Sequence, residues 1–244
     1  MKQAISKTFS FADPLKLAIQ MTKYNLKIVF ANRFIYFFIA ALALFLLIAA
    51  IFLFSSSATI KTSDIYGMLL LPGILILFYP VIYGLQNDKD ARMLEMLFGV
   101  PNYRYKVYLL RYVISLLVMA AALLLMATIA LLAIMQFPLF EVVYQLLYPL
   151  VFLSAVAFLM TTLVKNASGS AVVMILLGLI FWVLSENLRF SKWNIFINPF
   201  DVPTDMSYSV FKNVLYQNRL MMVIGTVVSI LWSLLNLQKR EEYV

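Results

Sequence analysis

Charged side chains are scarce in this sequence of 244 residues. They make up 12% of it, about half the usual share in soluble proteins, whereas 64% of the residues are hydrophobic. So few charges could not cover the surface of a soluble fold of this length, and lipid must therefore be the solvent for most of the chain. Cysteine and histidine are both absent. Their absence excludes disulfides, thiolate or imidazole metal sites, and nucleophiles that depend on either residue.

Six uncharged, apolar runs are long enough to cross the hydrocarbon core, which needs about 20 residues of helix. The runs are continuously apolar and do not alternate, which favours helices over barrel strands. The sequence therefore predicts an all-α, polytopic membrane protein whose residues 1–244 form a single transmembrane domain. Residues 1–33 would be cytoplasmic or interfacial, 34–237 a bundle of six transmembrane helices, and 238–244 a cytoplasmic tail. The runs are Phe34–Phe54, Ile65–Leu85, Tyr112–Met135, Val142–Val164, Ala167–Ser185 and Leu220–Leu237.

The distribution of Lys and Arg predicts which end of the bundle is cytoplasmic. Six spans place both termini on one side, and that side carries 14 of the 19 Lys and Arg residues. Positive residues concentrate in the cytoplasmic loops of membrane proteins. We therefore expect a multi-pass protein of a cell membrane, such as a bacterial plasma or inner membrane, with both termini in the cytoplasm. The formal net charge of +8 is then explained by these loops and not by binding to nucleic acid.

The N-terminal segment is predicted to contain an amphipathic helix that lies along the cytoplasmic interface. Asp13 followed by Pro14 is a typical helix start. Lys16, Lys23 and Lys27 then fall on one stripe of the helix, beside an apolar stripe. Such a helix would place its apolar side in the acyl boundary and its lysines near anionic lipid head groups. Two roles stay open for it, a simple membrane anchor and a contact surface for a partner.

The connection between the second and third spans, Gln86–Arg111, is much longer than a connector requires. It holds eight charged residues, of both signs, among its 26 residues. Asn87 or Asp88 can begin a short helix with an apolar face, and Gly99 and Pro101 would end it. The pattern predicts a helix, a stop, and a second helix that continues into the third span. The alternative is an ordinary amphipathic loop, placed there by the positive-inside rule.

The order of these features resembles the permease subunits of type-2 ABC exporters. The resemblance rests on the plan of the whole chain and on residues 95–104, where a Glu and an apolar stretch precede a small residue, a Pro and a basic residue. It implies that the short helix is a coupling helix, seated in a groove of a separate cytoplasmic ATPase. Two such subunits would carry ATP and Mg²⁺, and a second copy or a related permease would complete the complex. The implied coupling positions are Asp88, Arg92, Met93, Glu95, Met96, Gly99, Pro101 and Arg104.

The connection between the fifth and sixth spans, Glu186–Arg219, is predicted to be external. Its many aromatic residues are typical of a membrane interface. Asn198-Pro199 indicates a break, and Ser209–Gln217 can form a short helix that dips back toward the bilayer. The resemblance implies re-entrant half-membrane helices in this region, and it places Asn198, Pro199 and Phe200 at an external gate.

The six runs hold none of the ionisable residues that mark ion-coupled transporters, and the sequence has no Gly-Lys pair from which a phosphate loop could be built. Active transport would therefore need an ATPase on another chain. We expect this chain to be no enzyme and to bind no cofactor or metal itself. The uncharged spans favour an amphiphilic or hydrophobic cargo, such as a lipid, a glycolipid or a drug. A passive channel or a membrane scaffold is the alternative, and an intramembrane enzyme is disfavoured because His and Cys are absent.

Overall fold

Helices make up nearly all of the regular structure in this protein. The computed structural model describes residues 33–55, 60–90, 104–185, 187–188 and 191–238, and no strand occurs in these ranges. A π-helical turn, Arg104–Leu109, leads directly into the third helix. The helices are α1 (Arg33–Ser55), α2 (Thr62–Asp90), α3 (Leu110–Ala133), α4 (Leu139–Val164), α5 (Ala167–Val183) and α6 (Tyr208–Asn236).

Each of the six uncharged runs lies almost wholly along one helix, which confirms the all-α prediction. Five helices, α1 to α4 and α6, are long and apolar enough to cross a membrane, whereas α5 has only 17 residues. Large apolar side chains stay exposed along them, as lipid-facing surfaces require. These features indicate a multi-pass helical membrane protein. A sixth crossing stays a prediction.

Short turns join α3 to α4 and α4 to α5. Lys165 directly follows α4 in the left-handed conformation, with φ of 58°, and its N–H donates to the Thr161 carbonyl at 3.0 Å. Asn166 then caps α5, because its Oδ1 accepts a hydrogen bond from the Gly169 N–H at 3.0 Å. The chain reverses within two residues, so α4 and α5 run antiparallel.

Helix α4 lies at the centre of the packing. It contacts α6 and α2 most extensively, and Leu146 and Leu150 on its surface are fully buried. Glycines on the two neighbouring helices allow close approach. A Cβ atom on Gly73 of α2 would lie 2.7 Å from Cδ1 of Leu150, and one on Gly225 of α6 would lie 2.6 Å from Cε2 of Phe152. Small residues bring membrane helices together in the same way in other proteins.

Helix α6 begins well before the predicted sixth span. The uncharged run starts at Leu220, but the helix starts at Tyr208. The prediction of a separate short helix at Ser209–Gln217 is therefore wrong, since these residues form the first part of α6. Phe211 in this part is buried, and burial of that face keeps the segment packed in line with the rest of the helix.

The described residues between α5 and α6 form turns, with no helix among them. The re-entrant helices that the resemblance implies are therefore absent from the described part of this connection. The segment nevertheless packs into the bundle, because Ile195 and Ile197 are buried.

Replacement of Gly225 by alanine should loosen the contact between α4 and α6. The added Cβ would overlap the Phe152 ring. Overpacking costs about 1–3 kcal/mol, against a gain in helix propensity of about 1 kcal/mol. We expect Gly225→Ala to lower the midpoint of thermal unfolding of the purified protein in detergent. Gly67→Ala is the matched control, since nothing lies within 4 Å of a Cβ there, and it should unfold at or above the wild-type temperature. An equal fall in both variants would contradict the close contact.

Candidate functional site

Asp88, near the end of α2, forms a buried ion pair with Arg111 at the start of α3. Nη1 of Arg111 donates to Oδ2 of Asp88 at 2.5 Å, and the two residues are 7% and 2% exposed. Burying either charge alone would cost several kcal/mol in desolvation, and the pairing of the two charges offsets much of that cost. The pair therefore holds the end of α2 against the start of α3.

Groups from the π-helical turn and from α3 surround this pair. The Arg111 guanidinium lies 6.0 Å from the centre of the Tyr108 ring, within the range of a cation–π contact. The Ser115 hydroxyl donates to the Arg111 carbonyl at 2.9 Å. A cavity of about 30 Å³ adjoins them, with Pro80 and Gly84 of α2 in its wall. Protein atoms, and not lipid, therefore form the surroundings of the two charges.

The ion pair lies at the base of the predicted coupling segment. Asp88 precedes residues 91–103 and Arg111 follows them. The π-helical turn Arg104–Leu109 connects this segment to α3. Turns of this kind depart from regular α-helical hydrogen bonding and are frequent at functional sites. Any displacement of residues 91–103 would thus act on two helix ends that are already tied together.

The structure corrects part of the prediction for Asp88. Helix α2 continues to Asp90, so neither Asn87 nor Asp88 begins a new helix. The Asp88 carboxylate is turned to Arg111 and away from solvent. The physical reason is that the carboxylate of Asp88 on α2 meets the guanidinium of Arg111 on α3. The attraction between these two charges offsets the cost of burying them. The part of Asp88 in coupling to an ATPase stays a prediction.

The remaining coupling positions lie mostly outside the described residues. Arg104 begins the π-helical turn that leads into α3, which confirms a helix running from this point into the third span. The positions that the structure does not describe are Arg92, Met93, Glu95, Met96, Gly99 and Pro101, together with the interfacial lysines Lys16, Lys23 and Lys27.

Asn198, Pro199 and Phe200 attach the connection between α5 and α6 to the start of α2. Nδ2 of Asn198 donates to the Ser63 carbonyl at 2.9 Å, and its Oδ1 accepts from the Phe200 N–H at 3.0 Å. The Phe200 ring lies 6.0 Å from the Tyr66 ring, centre to centre. Asn198 and Phe200 therefore fix the connection to α2, and the role of all three residues as an external gate stays a prediction.

A second buried polar cluster lies around Asn218 and Arg219 of α6, at the opposite end of the bundle from Asp88. Nδ2 of Asn218 donates to the carbonyls of Lys192 and Asn194 at 2.8 and 2.9 Å. Arg219 is 7% exposed, and its Nε donates to Oε1 of Gln145 on α4 at 3.1 Å. The sequence reasoning missed this cluster because it assigned both residues to a loop.

Comparison with family models, with curated proteins and with solved structures gives no match. Within the described ranges, no group of three or more acidic side chains comes together as a metal site would require. The class of the protein therefore follows from its own structure. It is a helical membrane protein in which charged groups are buried in two clusters, one at each end of the bundle.

Removal of one charge of the Asp88–Arg111 pair should destabilise the bundle. Asp88→Asn deprives the buried guanidinium of its carboxylate, and breaking a buried ion pair costs about 3–5 kcal/mol. The double variant Asp88→Asn/Arg111→Gln removes both charges, so we expect it to recover much of that loss. Thermal unfolding in detergent measures the effect.

Asp205→Asn is the control for this series. Asp205 is an exposed carboxylate at the other end of the bundle, and its loss should change stability by no more than about 0.5 kcal/mol. If the double variant lost as much stability as the single variants Asp88→Asn and Arg111→Gln added together, the two residues would be independent and the ion pair would not exist as described.

Proposed function

We propose that this chain is the membrane-spanning subunit of an ABC exporter, with six spans and both termini in the cytoplasm. Two copies, or one copy with a related permease, would form the substrate pathway in a bacterial plasma membrane. Two cytoplasmic ATPase subunits would supply ATP, Mg²⁺ and the energy of hydrolysis. The cargo in this proposal is amphiphilic or hydrophobic, and the chain itself performs no catalysis.

The Asp88–Arg111 ion pair is the observation that most supports this proposal. A membrane subunit driven by a separate ATPase needs a stiff connection between its docking surface and its spans. Separation of α2 from α3 at this point would leave two buried charges unpaired, at a cost of several kcal/mol. The two helix ends must therefore move together when residues 91–103 are displaced.

The packing of α2 extends this connection into the bundle. Gly73 of α2 lies against Leu150 at the centre of α4, and close-packed helices transmit displacement because the interior is scarcely compressible. A motion that starts at residues 91–103 would therefore reach α4 and, through the close contact at Gly225, α6. A passive channel or a membrane scaffold requires no such path.

Co-purification tests the partner. The tagged chain is expressed with the untagged ATPase encoded by an adjacent gene, and the complex is isolated in mild detergent. We expect the wild-type chain to retain the ATPase. Glu95→Lys and Arg92→Glu should each reduce the retained ATPase and the coupled ATP hydrolysis by about tenfold or more, because a loss of only 1.4 kcal/mol at an interface is tenfold in affinity.

Asp205→Lys is the matched control, since it reverses an exposed charge at the other end of the bundle and should leave the retained ATPase unchanged. A stable wild-type chain with no associated ATPase would overturn the proposed function. Retention of the ATPase with full activity in both reversed variants would show that the interface lies elsewhere on the chain.

The orientation in the membrane can be tested with single cysteines, because the sequence has none of its own. Ser168, beside the turn between α4 and α5, and Thr204, in the connection before α6, are both exposed. A membrane-impermeant maleimide added to intact cells should label Thr204→Cys at least tenfold faster than Ser168→Cys. Permeabilised cells should show equal labelling of the two. The reverse preference in intact cells would place the termini outside.

A further inference from the structure

Arg219 carries a buried positive charge that is surrounded by neutral groups. Its guanidinium donates to Oε1 of Gln145 at 3.1 Å, to Oδ1 of Asn218 at 3.2 Å and to the sulfur of Met222 at 3.8 Å, and it lies 5.2 Å from the centre of the Tyr148 ring. Among the described residues, the one ion pair joins Asp88 and Arg111 and does not involve Arg219. The charge at Arg219 is therefore solvated by dipoles but not neutralised.

Two buried donors at this place also lack acceptors. Nη2 of Arg219 and the hydroxyl of Tyr66 are both enclosed by protein, and neither makes a well-formed hydrogen bond within the part of the chain that the structure describes. The two side chains face each other closely enough for Arg219 to act on the Tyr66 hydroxyl through its charge and through weak hydrogen bonding. Buried polar groups in folded proteins nearly always have partners. Here Nη2 of a buried guanidinium and a neighbouring tyrosine hydroxyl both lack an acceptor, and an anionic group could accept hydrogen bonds from the two of them.

An apolar groove of about 300 Å³ adjoins this cluster, on the surface between α4 and α6. Tyr148 and Met222 connect the groove to the cluster, because both residues line the groove and contact Arg219. The partly exposed Tyr148 ring lies over the Arg219 guanidinium and also lines the groove. The hydroxyl of Tyr148 is hydrogen-bonded to that of Tyr144, which also lines the groove. The groove is thus apolar along its length and polar at the end next to Arg219.

The direction of the groove matches the direction of a lipid in one leaflet. On α6 its lining residues Val223, Thr226 and Val227 follow Arg219 toward the middle of the helix. On α4, Leu147 and Val151 likewise lead from Gln145 toward the middle of the bundle. A molecule with its charged group at Arg219 would therefore extend its tail toward the centre of the membrane, as a membrane lipid does.

We propose that Arg219 and the groove between α4 and α6 form a binding site for an anionic membrane amphiphile. The phosphate or carboxylate of its head group accepts hydrogen bonds from Arg219 and Tyr66 after the Tyr148 ring turns aside, and its acyl chain lies in the groove. A zwitterionic lipid also offers a phosphate, but its own ammonium group already offsets that charge, and a free anion would leave the groove unused. This site does not rest on the proposed function, since it requires no ATPase.

Native mass spectrometry of the purified full chain in detergent tests the site. The probes are dioleoyl phosphatidylglycerol and dioleoyl phosphatidylcholine, which differ in head-group charge and share their tails. We expect the wild-type chain to retain at least one phosphatidylglycerol about tenfold more strongly than phosphatidylcholine. Arg219→Gln should lose this preference. Lys212→Gln removes the same charge from an exposed position of the same helix and should keep it.

A second variant keeps the test decisive if Arg219→Gln fails to fold. Thr226→Trp fills the groove and leaves Arg219 in place, so it should reduce the retention of phosphatidylglycerol by about tenfold. Equal retention of both lipids by the wild type, or an equal loss in Lys212→Gln and Arg219→Gln, would overturn the proposal. Inorganic phosphate is the last probe. If it alone raised the unfolding temperature of lipid-free protein as much as phosphatidylglycerol does, the site would bind a free anion and the proposed lipid would be wrong.

Discussion

A polar group that lies among acyl chains needs a hydrogen-bond partner within the protein, because the hydrocarbon core of a membrane neither donates nor accepts hydrogen bonds. Thr161 and Thr162 meet this constraint by donating to carbonyls about one turn earlier in α4, each at 2.8 Å. Ser233 does the same in α6 at 2.7 Å. Nδ2 of Asn236 donates to the Thr162 hydroxyl at 3.3 Å, which links the end of α6 to the end of α4. The three hydroxyl groups are thus satisfied within their own helices, and the Asn236 amide adds a cross-link where an apolar residue would add only packing.

The same constraint acts more strongly on charges, and the two ends of the bundle meet it differently. At one end Asp88 and Arg111 neutralise each other, so that site is closed and stiff. At the other end Arg219 is held by neutral groups such as Gln145 and Asn218, which orient it but leave its charge in place. A neutralised pair is suited to holding helices together. A cation that is oriented but not neutralised keeps its attraction for an anion.

The helices could be predicted from the sequence because a lipid-facing helix leaves a simple record, a long run without charge. The same rule explains the errors. It started the sixth span at Leu220, directly after Arg219, because a charge was assumed to lie in water, whereas α6 starts at Tyr208. It also ended the second span at Leu85, although α2 continues through Asp88. Arg111, the partner of Asp88, is 23 residues away, and nothing local records that the two helix ends meet.

A signal for the buried part of α6 was nevertheless present in the sequence. Phe211, Asn218 and Met222 are spaced by seven and four residues, so they share one face of a helix, and all three are buried. Lys212 falls on another face and is exposed. Periodicity across the charged residues would therefore have extended the helix, whereas a scan for uncharged windows could not. The partners of Asn218 and Arg219 come from other parts of the chain and could not be predicted in this way.

The turns that follow helix α5 show how the bundle accommodates a segment without regular secondary structure. The 17 residues of α5 span about 25 Å, less than a hydrocarbon core of about 30 Å. The turns that follow it expose backbone carbonyls, and such a segment is tolerated at membrane depth only where protein covers it. Asn218 supplies that cover, because its amide group donates to the carbonyls of Lys192 and Asn194, while Ile195 and Ile197 are buried beside them. A membrane crossing that begins with α5 would have to be completed by the irregular turns that follow it. Those turns obtain from Asn218 the hydrogen bonds that acyl chains cannot provide, so the crossing would depend on α6.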